Sequence, residues 1–160
     1  MPLLLTVLYI GALGILAHYI GEALPRRWFC FRAFPFRPFW CEKSGRLYHF
    51  LRVHQWKDHL PDMSRIMRDM VPKRLSGRPT SQQLYALVRE TCVAETVHRV
   101  LGILFLGIYF FYKNTDGIIV TLLTLLLNLP YIIIQRYNRP KLLKLADKMA
   151  EKERKQQCVS

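Results

Sequence analysis

The sequence predicts an all-α integral membrane protein with about three transmembrane helices, an interfacial aromatic segment and a C-terminal basic amphipathic helix. Two observations carry that expectation. Three apolar stretches come close to the roughly 20 helical residues that a bilayer core requires. The formal net charge of +13 lies almost wholly outside them, with 13 Lys/Arg against 4 Asp/Glu in residues 26–80 and 8 against 3 in residues 136–160. A chain of 160 residues, 51% of them hydrophobic, has room for one membrane domain. Its spans are expected at about 3–24, 92–112 and 118–135.

The first span, Leu3 to Leu24, is interrupted only by Thr6, His18 and Glu22. It has no basic start and no small-residue cleavage site at its end, so it reads as a span rather than a removable signal peptide. Pro25, Arg26 and Arg27 follow it. By the positive-inside rule they hold this end in the cytoplasm and place the N-terminus outside. Residues 28–40 alternate aromatics with Arg, a composition suited to the headgroup level, and Pro35 and Pro38 oppose a regular helix there. Residues 42–80 are polar and basic, with His49, His54 and His59, and Ser76-Gly77-Arg78-Pro79 signals a turn.

A helix is expected from about Gln82 to Tyr112, capped by Thr80 or Ser81. Only Val100 to Tyr112 is fully apolar, which is too short to span. Its membrane portion therefore begins near Cys92 and takes in Glu95, His98 and Arg99. Lys113 to Gly117 forms an outer turn. The third span, Ile118 to Ile134, ends on the inner side at Gln135-Arg136-Tyr137-Asn138-Arg139-Pro140. Lys141 to Gln157 then reads as a basic amphipathic helix on the membrane surface. Residues 25–80 and 136–160 are thus cytoplasmic, in a multi-pass protein of the cell membrane.

The positive charge is explained by membrane topology and anionic headgroups, and no nucleic-acid-binding fold accompanies it. Cys30, Cys41, Cys92 and Cys158 form no CxxC pair or metal-ligand spacing, and a reducing cytoplasm disfavours disulfides. The five histidines include no HxxxH or HxxHH, so no metal site is expected. No GxGxxG, Walker or GxSxG motif occurs.

Chemistry points first to Glu90, Glu95 and His98. At 100° per residue they share one broad helix face, with His98 between the carboxylates. An ionisable group at membrane depth costs about 2.5–3.5 kcal/mol on insertion scales, so such residues mark a site or a buried pair. A carboxylate can orient an imidazole and raise its basicity. Glu95 and Arg99 can equally neutralise each other as an i,i+4 pair. In the third span Asn128 requires a polar partner in lipid and Pro130 loosens the backbone. Arg136 and Arg139 are suited to hold a phosphate or carboxylate, or to act only as cytoplasmic anchors. Trp56 and Lys57, beside Asp58 and His59, suit either a site entrance or an interfacial loop.

These residues resemble the glycosyl-diaponeurosporenoate (staphyloxanthin-type) acyltransferases. The likeness lies in Glu90-Thr91, Ala94-Glu95, His98, Asn128, Pro130 and the run Gln135 to Pro140, with a weaker match at Trp56-Lys57. It is good over residues 88–145. The resemblance implies transfer of a fatty acyl chain to a sugar hydroxyl of a membrane glycolipid in carotenoid biosynthesis. It implies His98, Glu95 and Glu90 as catalytic residues, and Arg136, Arg139, Asn138, Asn128, Trp56 and Lys57 as substrate-binding residues. Its partners would be membrane lipids, a glycolipid acceptor and an acyl donor, either acyl-coenzyme A or an acyl carrier, with no bound cofactor, no metal and no nucleic acid. Two alternatives remain open in the sequence: a small membrane methyltransferase of the isoprenylcysteine type using S-adenosylmethionine, and a non-enzymatic membrane adaptor.

Overall fold

A computed structural model describes residues 1–43, 45–57, 59–60 and 79–158. The turn signal at Ser76–Arg78, Asp58 and Ser160 lie outside the described residues. In chain order the α-helices are α1 (Pro2–Ala23), α2 (Trp40–Lys43), α3 (Arg46–Phe50), α4 (Val53–Trp56), α5 (Ser81–Phe105), α6 (Tyr109–Tyr112) and α7 (Thr115–Gln157). Short 3₁₀ turns occupy Arg26–Trp28 and Leu106–Ile108. Among the described residues no strand is present, and three helical stretches are long and apolar enough to cross a membrane: Pro2–Ala23, Ser81–Tyr112 and Thr115–Gln157. The protein is an all-α membrane protein.

The residues fall into two compact units. The first comprises residues 1–29 and 92–135, and the second residues 30–91 and 136–160.

The first unit holds the membrane-length apolar segments. Leu101, Phe105 and Ile108 form its buried cluster, with Ile10, Leu13 and Ala17 of α1 and Val120 and Leu125 of α7 packed against it. The outward side chains are also apolar, including Leu3, Leu8, Ile103, Leu122 and Leu126. Such a surface suits lipid, where every backbone polar group must be met inside the protein. Arg26 meets the free carbonyls at the end of α1, its Nη1 donating to Gly21 O at 3.0 Å, Glu22 O at 2.6 Å and Leu24 O at 2.8 Å. Where α5 tightens into the 3₁₀ turn, the Tyr9 hydroxyl donates to Leu104 O at 2.7 Å. Gly107 admits that ring, since a Cβ there would lie 2.8 Å from the Tyr9 oxygen. The α6–α7 turn passes through Lys113 at φ 54°, and Asn114 Oδ1 accepts from Gly117 N at 3.1 Å at the start of α7.

The second unit is basic and richer in polar contacts. The expected cap of α5 is a capping box: Gln83 N donates to Thr80 Oγ1 at 3.2 Å, and Thr80 N to Gln83 Oε1 at 3.0 Å. The Ser81 hydroxyl donates to Glu153, and the Tyr85 hydroxyl to Asp147 at 2.6 Å. The helix does not stop at the Gln135–Pro140 run. Residues 141–157 continue α7 instead of forming a separate helix. Proline propensity argues for a stop there. Arg136 and Arg139, within the run, are both buried and bonded to backbone carbonyls, so tertiary contacts outweigh propensity.

Candidate active site

His98 lies half-buried on α5 in the first unit, where α7 presents Asn128 to it. The Asn128 amide makes two bonds. Its Nδ2 donates to the His98 carbonyl at 2.8 Å, and its Oδ1 lies 2.9 Å from His98 Nδ1. The first bond fixes the amide, because only nitrogen can donate to a carbonyl. The atom facing Nδ1 is then an acceptor, so Nδ1 must carry the proton. In the neutral imidazole the lone pair therefore belongs to Nε2. Gly102, one turn after His98, gives the amide its room: a Cβ there would stand 3.4 Å from Asn128 Nδ2. Tyr131 stacks on the imidazole, with ring centroids 4.8 Å apart and an interplanar angle of 11°. Asn128 and Tyr131 are three residues apart on α7, so one helix face holds the ring by an edge and a face. Tyr131 is not singled out by the sequence reading. Its i,i+3 spacing from Asn128, within a span that has few polar residues, is the signal that points to it.

Glu95 is fully buried and pairs with Arg99. The i,i+4 arrangement foreseen in the sequence is formed, and it places a counter-charge on a carboxylate at membrane depth. The partner recorded on His98 Nδ1 is Asn128. Glu90 is half-buried on the stretch of α5 that belongs to the second unit.

Arg136 and Arg139 are in the second unit, where both guanidiniums bond to protein groups. Arg136 grips Glu42 side-on, Nε to Oε1 at 2.7 Å and Nη2 to Oε2 at 2.6 Å. It also donates to the carbonyls of Pro35 and Arg37, and its guanidinium carbon sits 4.1 Å from the Phe39 ring centroid. Arg139 donates to Thr91 Oγ1 at 2.9 Å, to Thr91 O at 3.0 Å and to Phe36 O at 2.8 Å. Together they fasten the proline- and aromatic-rich segment that precedes α2. Glu42, the counter-charge of Arg136, is missed by sequence reading, since nothing in spacing links positions 94 residues apart. Asn138 is half-buried. The Trp56 indole donates to Leu51 O at 2.8 Å, and Lys57 follows it at the end of α4. Among the described residues no cluster of His, Cys, Asp and Glu could hold a metal ion.

The profile of one family, glycosyl-4,4'-diaponeurosporenoate acyltransferase, matches residues 25–148. The chain belongs to this family. Proteins of that name from Staphylococcus aureus are similar to it over 129 residues, 79% of this chain and 76% of theirs: that of strain RF122 at 29% identity and that of strain MRSA252 at 28%. No solved structure matches. The match extends well upstream of residue 88, where the resemblance of individual motifs begins. It takes in the aromatic segment and Glu42. Membership makes the protein an acyltransferase, and neither methyl transfer nor an adaptor role gains support.

Proposed function

We propose that the protein transfers a fatty acyl chain from a thioester donor to a sugar hydroxyl of a membrane glycolipid, with His98 as general base. The single observation that carries this reading is the Asn128 clamp, which leaves the lone pair of a neutral imidazole on Nε2. The sugar oxygen attacks the thioester carbonyl carbon, and its proton passes to Nε2. The C–S bond then breaks, and the proton leaves on the thiol. No metal is required for this sequence. Names of the relatives support a glycosylated carotenoid acid as the acceptor. Acyl-coenzyme A or an acyl carrier protein suits the donor role, since both supply thioesters on the cytoplasmic side.

In this reading Asn128 is a positioning residue. Arg136 and Arg139 contribute by ordering the segment before α2, while Glu90 keeps its proposed catalytic role and Asn138, Trp56 and Lys57 their proposed role in substrate binding. Asn128→Leu removes both bonds and frees the imidazole to change tautomer. Its acyl transfer is expected to fall by about 10–100-fold, a typical loss for an outer-shell partner. Asn128→Asp keeps an acceptor for Nδ1 and is expected to recover part of that rate in membranes normalised to folded protein. Equal loss in both variants would mean that Asn128 serves packing alone.

The topology belongs to the same proposal, with the N-terminus and the α6–α7 turn outside and the Arg-rich ends inside. Cysteine introduced at Asp116 is expected to react with an impermeant maleimide in intact cells. Cys158 is expected to react only after permeabilisation. Labelling of both in intact cells would refute this orientation.

A further inference from the structure

A cavity of about 560 Å³ opens within the second unit, inside the roughly 300–1,000 Å³ range of small-molecule sites. Tyr48 and Tyr137 form part of its wall, in an edge-to-face pair with centroids 5.5 Å apart. His49 and His54, stacked with centroids 6.3 Å apart, line it, and Lys141 lies across it over the Tyr137 ring. The sequence reading leaves His49, His54 and Lys141 without a role. All three are exposed, and among the described residues no hydrogen bond or ion pair engages their side-chain nitrogens.

Hydrogen-bonding capacity decides what such a cavity takes. A sugar presents hydroxyls that want acceptors as well as donors. The lining has one carboxylate, Glu42, and both its oxygens receive bonds from Arg136, with Phe39 N donating to one of them as well. The groups left to a ligand are the Lys141 ammonium, which only donates and carries a positive charge, and two imidazoles, each of which donates through at least one ring nitrogen. Such a wall favours an anion with many acceptor oxygens, and the aromatic pair beside it favours a flat or apolar portion. The geometry points to a phosphate-binding subsite at His49, His54 and Lys141 that takes the phosphorylated end of the acyl donor. This rests on the acyl-transfer reading above, in which the donor is a thioester of coenzyme A or of a carrier-borne phosphopantetheine. The phosphopantetheine phosphate is common to both.

Binding is measured without turnover, so its outcome is independent of whether His98 is the base. The full-length protein in zwitterionic nanodiscs is titrated with coenzyme A and, separately, with 4'-phosphopantetheine. Both are expected to bind. Lys141→Gln and the double variant His49→Gln/His54→Gln are each expected to weaken binding about tenfold, the effect of one charge-assisted hydrogen bond. Lys148→Gln, an exposed lysine outside the lining, is the matched control and should bind as the parent does. In turnover the cavity variants should raise the donor KM and leave kcat unchanged. Binding of coenzyme A alone would still support the subsite and name the nucleotide phosphates as its ligand. Unchanged affinity in both cavity variants would overturn it. So would a failure to bind either probe in zwitterionic nanodiscs. Inactivity of His98→Gln with intact coenzyme A binding would leave both readings standing, whereas full activity would remove the base and spare the subsite.

Discussion

His98→Gln is expected to lose acyl transfer by about 10²–10⁴-fold, the usual contribution of a positioned general base, while remaining folded and inserted. Glutamine is the informative substitution because an amide keeps hydrogen-bonding capacity but cannot accept a proton at this pH. It can still meet the Asn128 amide, so packing between α5 and α7 survives. His98→Ala should lose about as much activity, and somewhat more stability through the gap left beside Tyr131. Glu95→Gln separates chemistry from structure. It leaves Arg99 without its counter-charge beside a fully buried side chain, so the expected loss is in the amount of folded protein rather than in kcat. The measurement is acylated glycolipid formed in membranes, divided by folded protein. Full activity in His98→Gln would rule out the base role, whatever the alanine variant does.

The apolar helices are legible in the sequence because lipid imposes a simple rule, a run of about 20 apolar residues with charge at its ends. A cap at Thr80 or Ser81 is legible for a similarly local reason. Side chains that form the site are legible by type, since polar residues at membrane depth must be there for something. Their pairings are not. Glu95 stands near His98 on a helix wheel, yet the imidazole edge is held by Asn128 from another helix, 30 positions away. Arg136 and Arg139 look from their spacing like a fork for a ligand, but each bonds to a segment about a hundred residues upstream. Spacing gives direction around one helix axis and nothing about what another segment brings to it. Pro140 is a third case. As a local signal it says stop, and the buried arginines beside it hold the helix through.

Glu42→Gln is expected to destabilise the second unit by about 3–5 kcal/mol, the cost of leaving one partner of a buried ion pair uncompensated. The side chains of Glu42 and Arg136 are only 8% and 7% exposed. Arg136 would keep its carbonyl partners and one acceptor oxygen on the amide, but it would lose the counter-charge and its second bond, and the amide NH2 would face a donor where the other carboxylate oxygen stood. Removing both charges should cost much less than removing one, so Glu42→Gln/Arg136→Met is expected to recover a large part of the loss. Acid should reproduce the single variant. Burial pushes the Glu42 carboxyl up, but the Arg136 hydrogen bond, the Phe39 N–H, the Arg136 charge and a Tyr48 hydrogen bond together hold it below the usual value of 4.5. A carboxyl lowered on folding adds stability above its unfolded value. That stability disappears as the pH falls below 4.5 and through the lowered folded value. Hydrogen-exchange protection over residues 30–43, taken relative to the chemical rate, should therefore fall in that window in the parent protein, and should be low and insensitive to pH in Glu42→Gln. Exchange over this segment that is as slow in Glu42→Gln as in the parent would show that Arg136 holds it through the carbonyls alone.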